Sequence, residues 1–174
     1  VKAAAGTALS LTALPDIPLI QHGDSIADEI SRSLERSGTR AQPGDVFAIA
    51  QKIVSKSEGR IVRLSDVTPS SRALDLGERV NKDPRLVELI LRESTEVIRH
   101  RPGVLIVSHH SGVIMANAGI DRSNVTDDDA AESVLLLPED CDVSARQIRE
   151  DLESRFGVRV GVVITDSVGR AWRN

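Results

Sequence analysis

The chain has 174 residues, 40% of them hydrophobic and 28% charged, with a formal net charge of −4; this is the profile of a globular protein with one sizeable core or two small lobes. Two Phe, one Trp and no Tyr leave an aliphatic core without a ring platform for single-stranded bases, and the lack of a strongly basic tract argues against a nucleic-acid binder. One cysteine, Cys141, excludes an intrachain disulfide and a Cys-based structural zinc site. No apolar run reaches membrane-spanning length and no signal peptide is evident, so a cytoplasmic protein is expected.

Residues 9–14 are expected to form an edge strand. Pro15 and Pro18 then fix an extended path through Ile17, Leu19 and Ile20, whose backbone groups could meet the flat edge of a ligand; a rigid crossover loop is the plainer reading. Gly23-Asp24 is a turn, with Asp24 or Ser25 as N-cap of an amphipathic helix carrying Ile26, Ile30 and Leu34 on one face. Gly44-Asp45 opens a strand over residues 46–50. Residues 51–60 are polar and cationic, and they read as a segment between that strand and another over 61–64. Within it Lys56 and Arg60 could meet a polyphosphate or a carboxylate; the alternative is a solvated basic turn with Glu58 as partner. The glycine pattern of a P-loop is absent.

A proline-containing loop, capped by Ser70 or Ser71, leads into a helix over 72–80, and Asp83-Pro84 starts another with Leu86, Leu89 and Ile90 on one face. Glu93, Glu96, Arg99 and Arg101 read as surface charges or clamp residues, ahead of a short strand over 104–107. His109 and His110 are adjacent, so on a strand they point to opposite faces, and they lack the HExxH context of a metal site. Hairpin packing or solvent exposure is the preferred reading, ahead of a substrate-facing role.

An apolar segment, 113–116, ends in the polar stretch from Asn117 to Asn124, where Asp121 is flanked by both asparagines and Gly119 allows a sharp backbone path. Residues 126–132 form an acidic loop without the spacing of a calcium loop. Residues 133–137 are apolar again. Cys141 falls in a polar turn with no local base, and no catalytic role is assigned to it. Ser144 is expected to cap a helix running to Arg155, with Ile148 and Leu152 buried, until Gly157 stops it. Residues 158–164 read as a buried strand, with Asp166 just beyond its end. The order predicts an α+β fold with mixed and antiparallel sheets and packed helices. There is no GxGxxG fingerprint of a dinucleotide fold and no internal repeat.

Two apolar runs that each end in an aspartate suggest a shared edge where Asp121 and Asp166 meet. Hard oxygen ligands of this kind suit Mg2+ or Mn2+, with Ser167 adding a hydroxyl or backbone oxygen and with water and phosphates filling the shell. Lys56, Arg60 and Arg170 would complement the anion. Taken singly, each aspartate is explained as well by a turn cap.

At these residues the chain resembles the coenzyme F420-0:L-glutamate ligase family, the gamma-glutamyl ligases of F420 biosynthesis. The resemblance rests on Ile17-Pro18-Leu19-Ile20 with Gly23-Asp24, on Gln51-Lys52-Ile53-Val54-Ser55-Lys56-Ser57-Glu58-Gly59-Arg60, and on Lys82-Asp83-Pro84-Arg85-Leu86. It continues through Asn117-Ala118-Gly119-Ile120-Asp121 with Ser123-Asn124, then Leu136-Leu137-Pro138 and Ile164-Thr165-Asp166-Ser167 with Gly169-Arg170. These run in order over nearly the whole chain.

The resemblance implies a GTP-dependent ligase that joins L-glutamate to F420-0, and further gamma-linked glutamates to F420-1, through an acyl phosphate. It implies Mg2+ or Mn2+, with K+ as a candidate monovalent ion. Asp121, Asp166 and Ser167 would be the metal ligands, and Lys56, Asp121 and Asp166 the catalytic set. Ile17, Pro18, Leu19, Ile20, Gln51, Lys56 and Asn124 would contact GTP. Leu19 stands where a more polar residue is frequent, so its contact would be through main chain. Met115 replaces a common cysteine, which suggests packing. The resemblance further implies a homodimer with a sheet built across the pair. On this reading residues 1–174 are an incomplete ligase domain, its C-terminal remainder and any flavin-binding nitroreductase-like domain lying beyond them. Two other readings are a metal-dependent phosphotransferase acting on another small substrate and a noncatalytic nucleotide-binding or assembly module.

Overall fold

The computed structural model describes residues 9–122 and 132–166, and every structural statement below concerns those residues. Local signals cut the chain into elements much as capping rules require. Ser25 accepts a hydrogen bond from the Asp28 backbone N–H to start α1 (Ile26–Ser37), and Gly38, at φ 65°, closes it in the left-handed region. β1 (Val46–Ala50) runs directly into α2 (Gln51–Ser57). β2 (Ile61–Arg63) ends in a 3-10 turn and leads to α3 (Ser71–Val80), capped by Ser70. α4 (Pro84–Arg92) starts on the Asp83 side chain with proline in its first turn. There follow β3 (Ser94–Arg101), β4 (Val104–His109), β5 (Ile114–Ala116), β6 (Ser133–Leu135), α5 (Cys141–Phe156) and β7 (Gly161–Thr165).

The strands form three small sheets. β1 and β7 pair in parallel, with Val46 opposite Gly161 and Ala50 opposite Thr165. β2 pairs antiparallel with β6, and β3, β4 and β5 make an antiparallel meander. The class is α+β as expected, but parallel and antiparallel pairing are kept in separate sheets, so no described sheet is itself mixed.

Two apolar clusters hold these layers. One gathers Leu64, Val80, Val87, Ile90, Leu105, Val107 and Val134, all fully out of solvent, between α3, α4 and the antiparallel strands. The other packs Ile26, Ile30 and Leu34 of α1 against Ile49, Val54, Ile148 and Leu152. Phe47 and Phe156, at 6.3 Å between ring centroids, extend it. Each such side chain contributes about 1.5–3 kcal/mol by leaving water.

Several expectations are corrected. Residues 9–14 form no strand, and Leu9 and Leu11 keep 87% and 89% of their surface exposed. Residues 51–57 are helix rather than turn: Val54 is buried and Gln51 reaches Ser55 one turn on. The charged run after α4 is strand β3, whose outward faces carry Glu96, Arg99 and Arg101. That is how exposed edge strands are kept from pairing with other chains. α5 is capped by Asp140, which accepts from the N–H groups of Asp142 and Val143. Cys141 therefore sits in a helical first turn, where burial pushes its thiol above the ordinary range, against any nucleophilic use. Ser144 instead donates to Glu58 Oε1 at 2.5 Å.

Candidate functional site

Because β1 and β7 are parallel and end together, Gln51 and Asp166 leave the sheet at the same edge. The carboxyl ends of parallel strands are where such sheets leave room for ligands. A cavity of about 230 Å³ lies there, lined by Ala50, Gln51, Lys52, Thr165 and Asp166. Gln51 is 4% exposed. Its Nε2 donates to Ser55 Oγ at 2.7 Å and to the Leu136 carbonyl at 3.4 Å, which ties α2 to the segment after β6.

Asp121 comes from the segment after β5. After β5 the backbone makes a tight left-handed turn, with Asn117 at φ 53°, Ala118 at φ 54° and Gly119 at φ 70°. Residues other than glycine pay about 1–2 kcal/mol each to sit there, so the packing around the fully buried Ala118 must enforce it. A Cβ at Gly119 would in addition crowd the Leu137 side chain, lying 2.9 Å from its Cδ1. The chain then exchanges both backbone hydrogen bonds between Asp121 and Leu135, at 3.0 and 2.8 Å, which fastens Asp121 to the edge of β6.

From that platform Asp121 Oδ2 meets Lys52 Nζ at 2.5 Å, with both side chains about one third exposed (33% and 31%). Lys52 thus grips Asp121 while lining the cavity that holds Asp166. Of the two aspartates that sequence singles out, Lys52 contacts one and lines a cavity together with the other.

The donor chemistry fits a hard divalent ion. Both aspartates offer carboxylate oxygen, the donor that such an ion takes. No described group of three or more His, Cys, Asp or Glu gathers closely enough to make a full protein shell. Asp121 and Asp166 would therefore hold only part of one, with Ser167 a further candidate. Ser167, Asn124 and Arg170 lie outside the described residues.

Of the other expected contacts, Ile17 and Ile20 line a second cavity of about 670 Å³ between α1 and β1, which also touches Ile30, Phe47 and Ile53. Ala50 borders both cavities. Pro18 is exposed and Leu19 is 72% exposed; neither lines the cavity. The loop bearing them is pinned to the end of α2 by the Gly23 N–H, which donates to the Ser57 carbonyl at 2.9 Å. The His22 ring also lies where a side chain at Gly59 would be. Lys56 is half-buried one helical turn beyond Lys52 on the same face, and it lines neither cavity.

Arg60 is placed otherwise than expected. Its Nη2 reaches Glu93 Oε2 at 2.6 Å and its Nε donates to the Leu137 carbonyl at 2.9 Å, so it braces β2 against the end of α4. His109 and His110 part as their alternation requires. His109 is buried, its Nδ1 accepting from the Ser111 N–H at 3.0 Å, and burial pushes its pKa below the ordinary value. His110 is exposed and bonds the Arg92 carbonyl at 2.7 Å.

Two residues were missed. Lys52 could have been found from its spacing of four to Lys56, once the segment is recognised as helical. Glu29 is an 8% exposed carboxylate that lines the large cavity and pairs with Arg32 at 2.9 Å; on sequence alone it is one acid among many on the polar side of α1.

A family model described as F420-0:Gamma-glutamyl ligase matches residues 16–174. The coenzyme F420:L-glutamate ligase of Methanopyrus kandleri is 44% identical over 154 residues, 88% of this chain and 58% of that protein. The enzyme of the same description from Methanothermobacter thermautotrophicus is 42% identical over 165 residues, 95% of this chain and 64% of its own. That from Archaeoglobus fulgidus is 41% identical over 157 residues, 90% of this chain and 59% of its own. The chain thus spans 58–64% of the length of these relatives.

Proposed function

Since the chain belongs to the F420-0:gamma-glutamyl ligase family, we propose that it serves a GTP-dependent ligase that adds L-glutamate to coenzyme F420-0, and gamma-linked glutamates to F420-1, releasing GDP and phosphate. The observation that carries this reading is the meeting of Asp121 and Lys52 at 2.5 Å beside the cavity that holds Asp166: a cation between a carboxylate of its own and a cavity with a second carboxylate at the end of parallel strands suits a polyphosphate and its ion.

In this reading Asp121, Asp166 and Ser167 hold Mg2+ or Mn2+, which when bound neutralises phosphate charge and aligns phosphoryl transfer. Lys56 holds the nucleotide phosphates, and Asn124 contacts GTP. Ile17, Pro18, Leu19, Ile20 and Gln51 form the wall for the rest of GTP, Pro18 and Leu19 through main chain. The junction of the two cavities at Ala50 supports this division, because a nucleotide could lie across it.

The γ-phosphoryl group moves to the terminal carboxylate of F420-0, giving an acyl phosphate and GDP. The glutamate amine then attacks the acyl carbon; the C–N bond forms as the C–O bond to phosphate breaks, and the amine loses its proton. Lys56 acts by fixing the phosphates rather than by carrying a proton. The working unit is a cytoplasmic homodimer. The half-exposed Val46 and Val163 of the parallel pair support a further covering element, since parallel strands are ordinarily covered on both faces. For its part, no helix of the described residues is long and apolar enough to cross a membrane.

The test is incubation of the full-length protein with F420-0, L-glutamate, GTP and Mn2+. Mass spectrometry should show F420 gaining one glutamyl residue for each GDP formed. GTP turnover without the amide, or phosphate left on another substrate, would reject the ligase reading in favour of a phosphotransferase.

A further inference from the structure

Lys52 has no part in the ligand set above, yet it makes the closest contact at the site. We propose that its ammonium is the resting counter-ion of Asp121, that an incoming divalent ion displaces it, and that the released side chain turns to the phosphates beside Lys56. This rests on the reading of Asp121 and Asp166 as metal ligands.

Three features carry it. At 2.5 Å from Oδ2, Nζ stands on one of the two oxygens that Asp121 can offer an ion. Two cations cannot share one carboxylate oxygen at contact without strong repulsion, so an ion that takes Oδ2 must displace the ammonium. With both partners about one third exposed (33% and 31%), the pair is screened and weak enough to be exchanged. The small cavity, which Lys52 lines together with Asp166, leaves room beside the pair for an ion.

The helix supplies the destination. Lys52 and Lys56 are four residues apart on α2 and so stand over one another on one face. A lysine released from Asp121 needs only to change rotamer to join Lys56, because its stem is unbranched and its ammonium has no fixed direction. Ion and nucleotide would then help each other to bind: the ion frees a phosphate ligand, and the phosphates hold that ligand away from the ion's place. Such linkage is reciprocal by thermodynamic necessity.

The experiment titrates full-length protein with Mn2+ alone, following free Mn2+ by electron paramagnetic resonance. Lys52→Met should bind Mn2+ about fivefold more tightly than wild type, the loss of a weak competing pair, while Lys52→Arg should stay within about twofold of wild type. Equal or weaker binding by Lys52→Met would overturn displacement and leave the metal reading standing. If no protein bound Mn2+, the metal reading would fail and this proposal with it. A second measurement needs no variant. Amidination of Lys52 by methyl acetimidate, read by mass spectrometry, should quicken when Mn2+ is added to wild type and slow again when GDP follows. A labelling rate indifferent to Mn2+ would refute the displacement whatever the variants do.

Discussion

Leu105, Val107 and Val134 of the antiparallel strands have no solvent contact, whereas on the parallel pair Val46 and Val163 keep 62% and 50% of their surface exposed. The difference follows from what closes each part. β4 has a strand on both sides and α3 and α4 nearby. β1 and β7 have only each other among the described strands, with α1, α2 and α5 against them. Asp121 belongs to the closed part and Asp166 to the open one, and Lys52 lies between them. A finished core can hold one carboxylate rigidly, and an unfinished sheet edge leaves room for whatever the other must meet.

If that division is right, damage on the open side should cost chemistry and damage on the closed side should cost stability. The largest effect is expected at Asp166, an exposed residue beyond the last strand. Asp166→Ala should lower metal-dependent GTP turnover on the order of 100-fold or more without changing the thermal melt; unchanged turnover at saturating Mn2+ would remove it from the site. Next, Leu105→Ala on the closed side should cost about 2–5 kcal/mol in urea unfolding, while Val163→Ala on the open side should stay within about 0.5 kcal/mol. Equal losses would erase the contrast.

The smallest effect concerns His109, the buried titratable group of the closed part. Burial holds its folded pKa below the unfolded value of about 6.5. As pH falls through that value the unfolded chain takes up a proton that the folded one refuses, so stability is lost on acidification. The melting temperature should fall between pH 7.5 and pH 5, and His109→Gln should flatten part of that slope. An unaltered slope would mean that other groups set the acid limit.

Where sequence and structure agree, a repeated physical signal was available. The three apolar positions of α1, the Asp83-Pro84 start of α4 and the stop at Gly157 each combine periodicity with a cap; α1 and α4 stand where expected, and α5 ends at its expected stop although it starts at Cys141, ahead of Ser144. α2 was not legible because seven residues hold too few apolar positions to reveal a period. β3 was not legible because its alternation is drowned by charge on exposed faces. The two aspartates were legible as polar ends of apolar runs. Their partner Lys52 was not, since an isolated lysine in a cationic stretch has nothing to mark it until the helix is known. Arg60 shows the reverse failing: its charge suggested phosphate, and the fold spends it on Glu93 and a carbonyl.

The left-handed turn from Asn117 to Gly119 has a consequence for ion choice. Wedged against Leu137 and stitched to Leu135, the segment before Asp121 gives that side chain a fixed jaw of a vice. The opposing jaw, Asp166, stands exposed just past the end of β7. On the proposed metal reading, discrimination between magnesium and manganese would then turn on how Asp166 is set, and the end of β7 is where selectivity could be engineered.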